Sequence, residues 1–130
     1  MSGQSHNNSM RQVIYVDAGW HEVKNGHVAW FNKTTGRRFY EKKECANNHT
    51  CELEAVLKAL VDHMDSIEKD EIEILLDSDS VVKQLNGENA INRDDIRELA
   101  MKIWKISEGR KVRFLWIPRE QNRAGKMLGS

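Results

Sequence analysis

Three acidic residues occupy positions from which they can converge. Asp17 follows the β-branched and aromatic run Val13-Ile14-Tyr15-Val16, Glu52 lies at the start of an apolar-periodic helix, and Asp77 comes directly after the apolar Ile74-Leu75-Leu76. Ends of adjacent central strands and a neighbouring helix start bring side chains within a few ångströms of one another. Like charges repel there unless a divalent cation neutralises them. Such a set suits two-metal phosphodiester hydrolysis, in which one ion lowers the pKa of the attacking water and both brace the in-line transition state. Taken singly, each acid has an ordinary reading: Asp17 starts a turn, Glu52 in a first helical turn favours the dipole, and Asp77 caps a helix.

The elements that must position these acids follow from periodicity. Val13–Val16 and His27–Phe31 read as strands joined through the polar Lys24-Asn25-Gly26, and Thr34-Thr35-Gly36 turns the chain into a third, more polar strand over 37–43. From Cys51 the period changes: Leu53, Val56, Leu57, Leu60, Val61 and Met64 make one apolar helix face, with Thr50 as its expected N-cap. Glu71–Leu76 reads as a buried strand running into the helix-start cluster Asp77-Ser78-Asp79-Ser80, and a short helix stops at Asn86-Gly87. Asn92 is the expected cap of a longer helix carrying Ile96, Leu99, Ala100, Ile103 and Ile106, closed by Gly109. A strand over 112–117 ends at Pro118, and a last short helix begins near Asn122. Three antiparallel strands followed by strands alternating with helices predict an α/β fold: a mixed five-stranded sheet with helices on both faces.

A chain of 130 residues is long enough for one domain with a real core and too short for two. Residues 1–10, polar and aperiodic, read as a disordered leader before a domain over 11–130. The 20 basic and 20 acidic residues cancel, so any grip on a polyanion must come from local clustering. No segment has the length or apolarity of a membrane span or signal peptide, which makes the expected location cytoplasmic. Cys45 and Cys51 lack paired metal-site spacing and read as two reduced thiols, and the histidines read as surface residues. Nothing in the pattern calls for a protein partner, and a monomer is expected.

Several segments resemble type 1 ribonuclease H, in its bacterial and plant-like branch. Ile14-Tyr15-Val16-Asp17 is similar to the family's opening strand, and Asn47-Asn48-His49-Thr50-Cys51-Glu52 to its asparagine pair and metal-binding helix Glu. The run 77–87, DSDSVVKQLNG, is similar to its third-acid motif, and Trp116-Ile117-Pro118-Arg119-Glu120-Gln121-Asn122 to its closing corner. The resemblance spans 13–128 and implies the ribonuclease H-like fold. It also implies a metal-dependent endonuclease cutting the RNA strand of RNA–DNA hybrids, leaving 3′-hydroxyl and 5′-phosphate ends. Asp17, Glu52 and Asp77 would then be catalytic metal ligands for Mg2+ or Mn2+, with Asn47 and Asn48 reading the hybrid's minor groove, where the ribose 2′-OH is displayed. Glu54 projects roughly 200° around the helix from Glu52, so the two cannot both face one site. Asp77 keeps the family's spacing to Asn86-Gly87, whereas Asp79 falls two residues short.

The departures are specific. Where the family carries a fourth acid, four residues after the Asn of the closing motif, this chain has Lys126. Asp79 replaces a frequent Gln, one extra residue separates Asn48 from Glu52, Ala18-Gly19-Trp20-His21-Glu22 replaces a glycine-rich stretch, and the basic protrusion of some members is absent. A weak second ion is therefore expected, and two activities remain open: slow hybrid cleavage, or a nucleic-acid-binding module that has lost turnover. Trp20, after the first acid strand, is the aromatic expected to touch substrate, whereas Trp30, Trp104 and Trp116 are expected in the core. Arg37, Arg38, Lys42 and Lys43, with Lys33 nearby, form the densest basic cluster, read either as a solvated strand face or as phosphate contacts.

Overall fold

In a computed structural model, residues 10–128 are described. The leader expected over 1–10 lies outside them except for Met10, whose amide donates to Asp70 Oδ1 and whose carbonyl accepts from the Glu71 amide. The elements run β1 (Arg11–Glu22), β2 (Asn25–Asn32), β3 (Arg38–Lys43), α1 (Asn48–Asp62), α2 (Met64–Ile67), β4 (Glu71–Leu76), α3 (Asp79–Leu85), α4 (Asp94–Ser107), β5 (Val112–Trp116), a 3-10 turn (Arg119–Gln121) and α5 (Arg123–Met127). The sheet order is β3-β2-β1-β4-β5, antiparallel among the first three strands and parallel from β1 to β4 to β5.

Strand alternation sorts the sheet's two faces. Ile14, Val16, Val28, Trp30, Ile72, Ile74 and Phe114 are buried, and they pack in one cluster with Leu53, Val56 and Leu60 of α1 and Ile96, Ala100 and Ile103 of α4. On the opposite face Tyr15 stands across from Phe31 and Asp17 from Ala29, and α5 packs over β1 and β2. Helices thus cover both faces, as expected.

Several boundaries differ from the sequence reading for identifiable reasons. β1 does not stop at Asp17: it continues to Glu22 in a long ribbon with β2, so Asn25-Gly26 opens β2 instead of forming the turn. Gly26 is required by close approach, since a Cβ there would meet the Lys43 carbonyl oxygen at 2.5 Å and Cys51 Sγ at 3.1 Å. Gly36, with φ +82°, fills the left-handed position of the second turn. Helix α1 starts three residues earlier than its apolar face, because Asn47 caps it. Its side chain accepts from the Thr50 amide at 2.8 Å while Thr50 Oγ1 accepts from the Asn47 amide, so Thr50 is the third residue of a capping box and not the cap. Val61 and Met64 stay exposed. Helix α4 starts at Asp94 behind Arg93, and Asn92 does not cap it. Of the tryptophans expected in the core, Trp30 is buried, but Trp104 and Trp116 are exposed at the outer edge formed by α4 and β5, their indole N–H groups donating to the Leu85 and Asp77 carbonyls.

His63 is also not a surface residue. It is 3% exposed within a fully satisfied polar chain. Asn32 Nδ2 donates to Gln12 Oε1 at 2.8 Å and to His63 Nε2 at 3.1 Å, Gln12 Nε2 donates to Asp70 Oδ2 at 2.7 Å, and His63 Nδ1 donates to the Ala59 carbonyl at 2.7 Å. This ties β1, β2, α1 and the entrance to β4 together. The tautomer it fixes is neutral, because Nε2 must accept, and burial holds the imidazole below its ordinary value of 6.5. A histidine with a lowered folded pKa binds fewer protons folded than unfolded, so its stabilisation is complete above pH 6.5 and is lost as pH falls below it. In urea denaturation, the stability margin of the protein over its His63→Gln variant is expected to shrink between pH 7.5 and pH 5. A margin independent of pH would contradict the neutral-histidine assignment.

Candidate active site

The ladder between β1 and β4 ends at Tyr15–Leu75, whereas β1 itself runs on. Asp17 lies two residues past that end on β1 and Asp77 two past it on β4, so the two acids flank the point where the strands stop pairing. Asn122 fills the gap. Its Nδ2 donates to the Val16 carbonyl at 2.9 Å and to Asp77 Oδ2 at 3.0 Å, while its Oδ1 accepts from the Ala124 amide and caps α5. It is 1% exposed.

Glu52 comes from α1. Because the helix begins at Asn48, Glu52 lies one turn inside and is not a first-turn residue, which removes the helix-dipole explanation for its presence. Asp77 is likewise not a cap: Ser78 caps α3, its Oγ accepting from the Val81 amide. Ligand oxygens of Asp17, Glu52 and Asp77 all lie within 4.8 Å of one another, and among the described residues no other group of His, Cys, Asp and Glu is so placed. Glu54 instead pairs with Lys43 at 3.9 Å and Asp79 with Lys83 at 3.0 Å, so both acids that spacing set aside are engaged elsewhere.

The electrostatics show what the cluster lacks. Burial, followed by the charge of Asp77, raises the Asp17 carboxyl from 3.8 to about 6, against the Ala18 amide and Arg119, which lower it. Burial, then Asp17 and Asp77, raises Glu52 from 4.5 to about 7, opposed by Arg119 and by the Ser78 hydroxyl. Three half-buried acids with too little positive charge beside them form a site suited to a divalent cation.

Other expected site residues lie around this centre in varied roles. Asn47 spends its side-chain oxygen on the α1 cap and directs Nδ2 toward Asp95, while Asn48 is exposed at the first position of α1. Trp20 lies in β1 with its ring partly packed on the core and its indole N–H donating to the Cys45 carbonyl at 3.0 Å, so it holds the loop that leads into α1. Cys45 and Cys51 are buried free thiols in mutual contact, and burial pushes Cys45 up to about 12. The basic strand does not act as one patch. Arg37 lies over the Trp30 ring, Arg38 over the Phe31 ring on the opposite face, and Lys43 pairs with Glu54.

Lys126 lines a hollow with Phe31, Arg38, Arg123 and Met127, and the cation acting on Asp17 and Glu52 is Arg119. Sequence reasoning assigned no role to Arg119, Asn122 or Ser78. The one signal for them was their place in the closing motif and beside Asp77.

A family model described as reverse transcriptase-like matches residues 16–130. No curated protein matches the chain in sequence. Among solved structures, RNase H1 from the halophilic archaeon Halobacterium salinarum NRC-1 is 25% identical with a TM-score of 0.79, over 91% of this chain and 93% of that one. LC11-RNase H1 in complex with an RNA/DNA hybrid is also 25% identical with a TM-score of 0.79, over 88% of this chain and 91% of that one. The N-terminal RNase H domain of rv2228c from Mycobacterium tuberculosis, at 20% identity and a TM-score of 0.72 over 88% and 86%, shares the fold. A matching family model over nearly the whole chain, a ribonuclease H sheet order and a carboxylate trio at the end of the β1–β4 ladder together place this chain in the reverse transcriptase-like family, as a type 1 ribonuclease H-like protein.

Proposed function

We propose that the chain is a metal-dependent endonuclease that hydrolyses the RNA strand of RNA–DNA hybrids and leaves 3′-hydroxyl and 5′-phosphate ends. The observation that carries this reading is the convergence of Asp17, Glu52 and Asp77, two of them with carboxyls raised toward neutrality by burial and by the neighbouring acids. The RNA/DNA hybrid bound by LC11-RNase H1 supports the choice of substrate. The three carboxylates fit Mg2+ or Mn2+, hard cations that take oxygen ligands. When bound, such ions activate water and stabilise negative charge on the phosphate.

The chain's own residues do the positioning. Asn122 fixes the Asp77 carboxylate by one hydrogen bond and is itself fixed by the Val16 carbonyl, so the ligand cannot swing away. Arg119, the cation that acts on Asp17 and Glu52, can donate to a phosphate oxygen, and Asn48 is the exposed member of the asparagine pair, free to meet the minor groove. A second ion is held weakly in this reading, because the position that would supply another carboxylate is Lys126. We place the enzyme in the cytosol, acting as a monomer.

That same Lys126 favours one other reading, a module that binds hybrid without cutting it. Both are tested by incubating the protein with Mg2+ or Mn2+ and four end-labelled duplexes: the hybrid labelled on RNA, the hybrid labelled on DNA, double-stranded RNA and double-stranded DNA. The endonuclease reading expects fragments from the RNA strand of the hybrid alone, with 5′-phosphate ends. Retention of an intact hybrid would support the binding module, and cutting of the DNA strand would refute both.

A further inference from the structure

The hollow beside α5 has the composition of an anion site. It occupies about 310 Å³ and is lined by Phe31, Arg38, Arg123, Lys126 and Met127. The guanidinium carbon of Arg123 lies 4.4 Å and that of Arg38 5.1 Å from the Phe31 ring centroid, and Tyr15 stacks on the same ring at 6.3 Å. A guanidinium held against an aromatic face is oriented by the ring while the N–H groups at its edge stay free to donate. None of Arg38, Arg123 and Lys126 has an acidic partner among the described residues, although Lys43, Lys58 and Lys83 on neighbouring elements each have one. Three cations thus converge on one hollow without a carboxylate to balance them, in a chain of zero net charge.

Position decides which anion. Phe31 stands opposite Tyr15, two residues along β1 from Asp17 and on the same sheet face, which is roughly 7 Å of strand. Arg123 directly follows Asn122, the residue bonded to Asp77. A nucleic-acid strand whose phosphate sits at the carboxylate trio therefore brings a phosphate one or two nucleotides away over the hollow, since each strand carries one charge per roughly 3.4 Å of axial rise. We propose that Arg38, Arg123 and Lys126, gathered around Phe31, form a subsite for a backbone phosphate flanking the scissile one. The proposal rests on the nuclease reading and gives Lys126 a role in substrate grip.

The test measures binding of a fluorescein-labelled RNA–DNA hybrid by anisotropy over a series of salt concentrations. The full chain carries Glu52→Gln so that the hybrid stays intact. Adding Arg38→Gln and Lys126→Gln is expected to weaken binding about 10-fold at 0.1 M salt and to reduce the slope of log affinity against log salt by about 1.5, as two fewer counterions are released. The pair Lys102→Gln and Lys105→Gln on α4 is expected to leave the slope unchanged. An unaltered slope in the Arg38/Lys126 variant, with hybrid still bound, overturns the subsite and leaves the nuclease reading standing. Failure of the Glu52→Gln protein to bind hybrid at all overturns both. In a second arm, inorganic phosphate is titrated while amide NMR shifts are followed. Shifts confined to Phe31, Arg38 and Arg123, together with an unaltered hybrid slope, assign the hollow to a free anion and overturn the strand-phosphate proposal.

Discussion

Replacing Glu52 by Gln is expected to abolish metal-dependent cleavage and, in a chelator, to make the protein more stable. Loss of a partner that only orients a metal ligand costs 10–100-fold, so loss of a ligand itself should cost more than about 10²-fold. The stability effect has the opposite sign because Glu52 is held in the folded protein against burial and two neighbouring carboxylates, which raise it from 4.5 to about 7. An acid raised on folding binds more protons folded than unfolded. Its contribution is therefore most favourable below pH 4.5 and is lost as pH rises through 7. Gln carries no charge to desolvate, so the variant should exceed the parent by about 1–2 kcal/mol at pH 8, about half of what the full shift implies after side-chain relaxation. The difference should vanish near pH 4.5. Urea denaturation in a chelator at the two pH values measures this, and a variant less stable than its parent at pH 8 would show that the trio is not strained in the absence of metal.

Asn122→Ala should do the reverse and destabilise the fold by about 3 kcal/mol. The substitution leaves the buried Val16 carbonyl without its donor, removes the α5 cap at Ala124, and releases Asp77. An unsatisfied buried acceptor costs about 1–3 kcal/mol and a lost cap about 1 kcal/mol. Cleavage should fall about 10–100-fold at a temperature where the variant remains folded, because the Asp77 ligand is no longer oriented. Asn122→Asp separates the two roles: an aspartate can still cap α5, but it cannot donate to Asp77 and adds a fourth negative charge beside it. It should therefore keep α5 and still lose activity. If Asn122→Asp were as active as the parent, the positioning role of Asn122 would fail.

What the sequence made legible was whatever periodicity and local chemistry decide. Alternation in β1, β2 and β4, the three- and four-residue spacing of Leu53, Val56 and Leu60, and Gly36 at the second turn were enough for the sheet, its order of elements and the main helix. The trio was legible because each acid adjoins an apolar run that periodicity marks: Asp17 follows Val13–Val16, Glu52 precedes the face of Leu53, Val56 and Leu60, and Asp77 follows Ile74–Leu76. What escaped depends on contacts distant in sequence. His63 looks polar and unremarkable along the chain, and only folding brings Asn32 and Gln12 to it. Asn122 joins β1 and β4 across separations of 106 and 45 residues. The neighbours Arg37 and Arg38 point to opposite sheet faces because they lie on adjacent positions of an extended chain, which no count of basic residues reveals. The exposed Trp104 and Trp116 follow from β5 being an edge strand, a matter of topology.

That the carboxylate trio holds the ion driving RNA cleavage is tested by the rate of RNA-strand cleavage in a hybrid as Mg2+ is added to chelator-treated protein. We expect no cleavage in chelator and a saturable rise toward high Mg2+, with Mn2+ effective at lower concentration and Asp77→Asn inactive throughout. Cleavage that persists in chelator, or an Asp77→Asn variant with the metal dependence of the parent, would contradict it.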